Sequence, residues 1–201
     1  MKINTRSITL AATLAALCAV TGFLPYVFFL PVAVAAATLS VGMVAFVGLA
    51  FGCISLAYSF VMPASPVAMA FVYAPYIAIV PRILASLGCF GVYKLLVALF
   101  KPHRGGARFA VISVSAAVGS MLNTALVVGA FVLIVPSVDF GGITMLAYVP
   151  TMLISGAIEL ACMAALVPPI VLTLERTVLK TTRLKKSNTE KHGVHSAAHS
   201  E

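Results

Sequence analysis

Charge is what this sequence has least of. Charged residues make up 9% of its 201 positions, against roughly 25% in an ordinary soluble domain. A water-soluble fold of that composition would have too little polar surface to stay dispersed, so that class is excluded. Paired cysteines are missing too. Cys18, Cys53, Cys89 and Cys162 each stand alone inside an apolar run, with no CxxC, and read as small hydrophobes rather than disulfides or metal ligands. His192, His195 and His199 share a polar tail without metal-ligand spacing. There is no phosphate-cradling glycine loop, which excludes an ATPase within the chain. No Ser/His/Asp set and no intramembrane His/Glu motif occurs, so neither an enzyme nor a cofactor or metal is expected.

Apolar residues are present instead, at 62%, in long runs rather than helical stripes. Runs of about 20 such residues cross the hydrocarbon core of a bilayer. The reading is an all-α integral membrane protein of the cell membrane with six transmembrane helices. The spans are expected at about 7–24, 28–41, 43–61, 78–99, 109–135 and 143–174. Gly48 and Gly52 form a GxxxG that allows another helix to come close. Between the third and fourth spans, residues 62–76 carry prolines and tyrosines and read as an ordered loop near the outer surface. Pro168 and Pro169 are expected to kink the end of the sixth span. Beyond Thr177 the composition becomes polar and basic, and residues 177–201 are expected to be a disordered cytoplasmic tail.

The net charge of +8 is a matter of topology rather than of nucleic-acid binding. The basic residues cluster before Ser7, between Lys94 and Arg108, and from Arg176 onward, all at the ends of apolar segments. Six spans with both termini cytoplasmic put each cluster inside the cell, as the positive-inside rule requires, and suit contact with anionic lipid. The basic start and short first apolar run also fit a cleaved signal peptide, with small residues in ALCAVTG for cleavage. Against removal, apolar character resumes at once, and five spans would strand one basic end outside.

Inside the apolar runs a few positions stand out. Arg82 follows Pro81 at the outer end of the fourth span, and Glu159 lies within ISGAIELACMAALVPPI. A charge at the bilayer centre costs roughly 2.5–3.5 kcal/mol on insertion scales, so it faces a protein interior, a cavity or a ligand. A guanidinium at Arg82 suits a carboxylate or phosphate, or it snorkels to the head groups. Glu159 either pairs with Arg82, stays neutral, or binds a polar ligand group. Asn123, next to Thr124, is either glue between helices or a recognition group. Tyr73 and Tyr76 lie just before Arg82, near enough to touch a ligand held there. Ala11, Ala15 and Ala19 recur every four residues, shadowed by Ala12 and Ala16, as a flat face for ordinary packing or for a partner protein.

Five segments together resemble one family: ALCAVTGF, VGMVAFVGLAFGCISLAYSF, VPRILASLGCFGVYKLL, VGSMLNTALVVGAFVL and ISGAIELACMAALVPPIVLTL. They cover most of residues 8–175, and the resemblance is to the substrate-binding S components of energy-coupling factor (ECF) vitamin transporters, in the branch of folate-, riboflavin- and pantothenate-type binders. It implies that residues 1–176 form a six-helix substrate-binding domain with a vitamin site near the outer face, gated by the loop at 62–76. It also implies that Ala11, Ala15 and Ala19 contact a transmembrane T component, that two ATPase subunits supply energy, and that the binder topples in the membrane. One departure is the second-to-third junction, LSVGMVAF, where the family usually carries Gly-Pro and a basic residue. On this reading Arg82 holds an anionic group of a pantothenate- or folate-like acid, with Asn123, Glu159, Tyr73 and Tyr76 adding contacts. The alternatives are an ion-coupled secondary carrier using Glu159 and a non-transporting membrane assembly or sensor protein.

Overall fold

The computed structural model describes residues 5–24, 26–62, 66–102, 105–134 and 145–197, with the side chains of 178–197 outside the description. These residues form helices only: α1 (Thr5–Thr21), α2 (Leu30–Thr38), α3 (Val41–Val61), α4 (Pro66–Tyr73), α5 (Pro75–Phe100), α6 (Gly105–Ile134) and α7 (Met145–Ala197). Within them, Val41–Val61, Pro75–Phe100, Gly106–Ile134 and Ala147–Thr177 are long and apolar enough to cross a membrane. Large apolar side chains such as Phe46, Leu49, Leu84, Leu95, Leu133 and Ile154 cover their outer surfaces. An apolar exterior on this scale suits lipid rather than water, and the chain is a multi-pass membrane protein.

The first two apolar runs form shorter helices than their length suggests. α1 stops at Thr21, and α2 has 9 residues, a rise of about 14 Å against a hydrocarbon core of about 30 Å. Residues 22–24 and 26–29 between them are not helical. α2 is nevertheless the centre of the molecule. Leu30 through Ala36 are all buried, and α2 packs against α1, α3, α5, α6 and α7. Its small and β-branched side chains form the main core with Ala11, Leu14, Cys18, Val44, Val47, Ala85, Ile112, Met163 and Val167. A second, smaller core gathers Ala70 and Phe71 of α4, Ile77 and Ala78 of α5, and Val127 and Phe131 of α6.

The GxxxG of α3 sets how closely α5 approaches. A Cβ added at Gly52 would lie 2.9 Å from the Ile79 Cα and 3.2 Å from the Ala78 carbonyl oxygen, so the two backbones meet there. A proline inside a membrane helix is tolerated where the carbonyl it frees finds another donor. Pro168 has no N–H for the carbonyl of Ala164, and the Ser113 hydroxyl of α6 donates to that oxygen at 2.9 Å. The helix runs on through Pro168 and Pro169, and it continues past residue 177 to Ala197.

The successive long helices α3, α5, α6 and α7 alternate in direction, and the bundle has two distinct ends. At one end lie Ser7 and Leu10 of α1, the end of α2 and Glu175 of α7, which line a common hollow. Arg108 at the start of α6 pairs with Glu175 at 2.5 Å. Lys101, in the left-handed conformation that ends α5, belongs to this basic end as well. At the other end meet the residues after α1, the beginnings of α5 and α7, and the last turns of α6. The expected loop at residues 136–142 lies outside the described residues, as do His103 and Arg104.

Candidate functional site

A cavity of about 410 Å³ opens at the end away from the basic residues. Phe28 and Phe51, Val67 of α4, Val127 of α6 and Met152 of α7 supply its apolar wall. Its polar lining comes from Tyr26, Arg82, Asn123, Thr124, Tyr148, Thr151, Ser155 and Glu159. The volume falls toward the lower end of the roughly 300–1,000 Å³ typical of small-molecule sites. A second hollow of about 370 Å³, lined by Ser55, Ser59, Tyr58 and Phe71, shares Gly22, Phe28 and Val67 with the first.

Arg82 is the most demanding group in the cavity. It is 7% exposed, so its charge is almost wholly removed from solvent. The residue before it explains where the guanidinium rests. Pro81 lacks the N–H that would bond the Ile77 carbonyl four residues back, and Arg82 Nη1 donates to that carbonyl at 3.3 Å. Nη2 donates to Ser55 Oγ at 3.4 Å. The guanidinium carbon lies 4.5 Å from the centre of the Phe71 ring and 6.0 Å from that of Phe51, within cation–π range. Nε has no partner. Hydroxyl, carbonyl and ring faces orient the cation, and none of them neutralises it.

Glu159 stands across the cavity on α7. It interacts electrostatically with Arg82, yet the two form no ion pair within 4.0 Å. Its carboxylate lies instead at the start of α2, facing the backbone N–H of Phe29, where the partial positive charge of a helix N-terminus favours an anion. The Ser120 hydroxyl of α6 is also beside it, without a hydrogen bond of ordinary geometry. Asn123 is 8% exposed, and its Oδ1 is a buried acceptor without a donor. A Cβ at Gly156 would meet Thr124 at 2.8 Å, so that glycine lets α7 approach α6 at the level of the cavity.

Three of the residues singled out from sequence, Arg82, Asn123 and Glu159, thus share one cavity. Tyr73 and Tyr76 do not line it and are 76% and 54% exposed. The expected loop is in part a helix: α4 turns Ala70 and Phe71 inward, which rotates Tyr73 to the outside, and α5 turns Ile77 inward in place of Tyr76. The alanine strip is corrected as well. Ala11 is buried in the core, Ala15 is half-buried and Ala19 is exposed. Residues four apart drift by about 40° per step, so an eight-residue interval swings about 80° around the helix. The outward small residues are Ala12, Ala16 and Ala19, while Ala11, Leu14, Cys18 and Thr21 face in.

Sequence reasoning missed Tyr26, Tyr148, Thr151 and Ser155. A signal existed for the last three: with Glu159 they recur at intervals of three and four, a polar stripe on one face of α7. Tyr26 carried no periodic signal, because it lies in the non-helical link. Its φ of 68° places a non-glycine residue in the left-handed region, at the edge of the cavity. Backbone of that kind is held in place by its surroundings and clusters at ligand sites.

Among the described residues no cluster of three or more His, Cys, Asp or Glu could hold a metal ion. In comparisons with known proteins, no family model matches the sequence and no curated protein matches it.

Proposed function

We propose that this chain is a substrate-binding S component of an ECF-type transporter, taking up a vitamin or related small molecule from outside the cell. The observation that carries the reading is Arg82: a cation almost fully buried, without a counter-ion in contact, on the wall of a cavity sized for a small molecule. A buried charge left unpaired is costly, and a ligand carboxylate would supply what the protein withholds. A pantothenate- or folate-like acid fits that requirement.

The membrane arrangement follows from the same reading. The chain passes through the bilayer six times, with α1 as the first pass and the non-helical link plus α2 as the second. Irregular backbone at membrane depth is tolerated where protein buries it or where it lines a cavity, and Gly22, Phe23, Leu24, Tyr26 and Phe28 line the two cavities. Both termini and the basic end face the cytoplasm, and the cavity faces outward. The outward strip Ala12, Ala16 and Ala19 offers a flat surface to a T component, and two ATPase subunits drive transport.

Uptake of radiolabelled pantothenate and folate by cells expressing the chain with and without a T component and both ATPases tests this. Accumulation that needs all partners and is lost on Arg82→Gln supports it. Accumulation without the ATPases that stops when the proton gradient is collapsed would assign the chain to ion-coupled carriers, with Glu159 as the coupling group. No uptake in any combination, with no ligand-induced thermal stabilisation, would remove transport altogether.

A further inference from the structure

Polar groups from α5, α6 and α7 line the cavity, and some of them have no partner. On the α5 side is Arg82, a pure donor whose Nε is unpartnered. From α6 and α7, beside the hydroxyls of Thr124, Tyr148, Thr151 and Ser155, come the Asn123 Oδ1, an acceptor also unpartnered, and the carboxyl group of Glu159. Both oxygens of that carboxyl group can accept hydrogen bonds. The Phe29 N–H at the start of α2 faces one part of it, and the rest is available to the cavity that Glu159 lines. The obvious internal solution, an Arg82–Glu159 ion pair, is not adopted. A simple anion would satisfy Arg82 and leave the Asn123 Oδ1 and the cavity side of Glu159 without donors. A buried acceptor without a donor, such as the Asn123 Oδ1, is costly, so an anion alone leaves part of the site unused.

We infer that the ligand is a dipolar, nitrogen-bearing acid. Its anionic group meets Arg82, and N–H donors at its other end meet Glu159 and Asn123. The inference rests on the proposed binding role and narrows it: a plain carboxylic acid of equal size is a poor ligand. The aromatic and aliphatic wall formed by Phe28, Phe51, Val127 and Met152 contacts the segment between the two polar ends.

The test uses the full-length protein in lipid nanodiscs and three matched probe series of three to eight carbons. These are ω-amino acids, the unsubstituted carboxylates and the alkylamines. Thermal unfolding against concentration gives each Kd, because a ligand that binds the native state stabilises it by RT ln(1 + [L]/Kd). At one chain length the ω-amino acid is expected to bind at least about tenfold more tightly than either monofunctional probe, a difference of about 1.4 kcal/mol. In Glu159→Gln the advantage over the carboxylate is expected to fall below about threefold. Carboxylates that equal the ω-amino acids in the unaltered protein would overturn the dipolar assignment and leave the anion site at Arg82 standing. Alkylamines that equal the ω-amino acids, or no stabilisation by any probe, would overturn both.

Discussion

Arg82 Nη1 donates to the Ile77 carbonyl at 3.3 Å, the carbonyl whose helical partner Pro81 has removed. The dipeptide Pro81-Arg82 is thus a small device: the proline vacates an acceptor and the next side chain occupies it. Pro81→Ala restores a competing N–H to that carbonyl. Thermal stability is expected to hold or rise, because proline is unfavourable inside a helix. Affinity for an anionic ligand is expected to drop by roughly fivefold, equivalent to about 1 kcal/mol for one weakened hydrogen bond. Paired measurements of Tm and Kd check this. A loss of affinity with a matching loss of stability would count against it.

Phe71 contributes its ring face to Arg82 from α4, and it stacks on Phe131 of α6 with centroids 5.4 Å apart. Phe71→Leu keeps an apolar side chain and removes the ring. Cation–π contacts are worth about 0.5–2 kcal/mol, so ligand affinity is expected to weaken by roughly two- to thirtyfold. Phe71→Tyr is expected to retain most of it. Equal effects of the leucine and tyrosine changes would mean that packing, not the ring quadrupole, holds the guanidinium.

The contact between α3 and α5 is as exacting as the site itself, because Arg82 and its partner Ser55 sit on opposite sides of it. Gly52→Val would drive side-chain atoms into the backbone at Ile79. Overpacking of this kind costs about 1–3 kcal/mol. A fall in Tm is expected, together with weaker binding. Gly42→Ala is the control, since a Cβ there meets nothing within 4 Å, and both properties should be unchanged.

The cavity was legible where chemistry contradicts its surroundings. A guanidinium, a carboxylate and an amide in lipid-grade runs need partners, and Arg82, Glu159 and Asn123 do share one cavity. Proximity in sequence to Arg82 points to Tyr73 and Tyr76, but proximity does not decide which face of a helix a residue occupies. The alanine ladder failed for a related reason: a four-residue repeat is not a straight line on a helix of 3.6 residues per turn. Apolar run length also said nothing about where helix stops. The run at 28–41 yields a helix of 9 residues, because the chain before it leaves helical geometry to line the cavity.

Orientation is testable with single cysteines in a background lacking the native four. Tyr148 lines the cavity and Lys101 lies at the basic end. Tyr148→Cys is expected to react with an impermeant maleimide applied to intact cells. Lys101→Cys is expected to react only after permeabilisation, since basic ends stay in the cytoplasm. The reverse pattern would invert the molecule and leave the cavity facing the wrong compartment for uptake.

The two faces of α1 make separate predictions, which separates folding from assembly. Ala11 is 1% exposed against the α2 core, so Ala11→Leu forces extra volume into packed space. A loss of about 1–3 kcal/mol in stability is expected, read as a lower Tm of the isolated chain. Ala16 is on the opposite, exposed side, and Ala16→Leu should leave Tm within about 0.5 kcal/mol of the unaltered chain, as surface changes usually do. If a partner helix docks on Ala12, Ala16 and Ala19, the added isobutyl group holds that helix away, because close approach depends on small side chains. Co-purification with a T component should therefore fail for Ala16→Leu while ligand binding by the isolated chain persists. Retention of the complex with Ala16→Leu and with Ala12→Leu would mean that this face meets only lipid, and the docking surface would have to be sought elsewhere on the bundle.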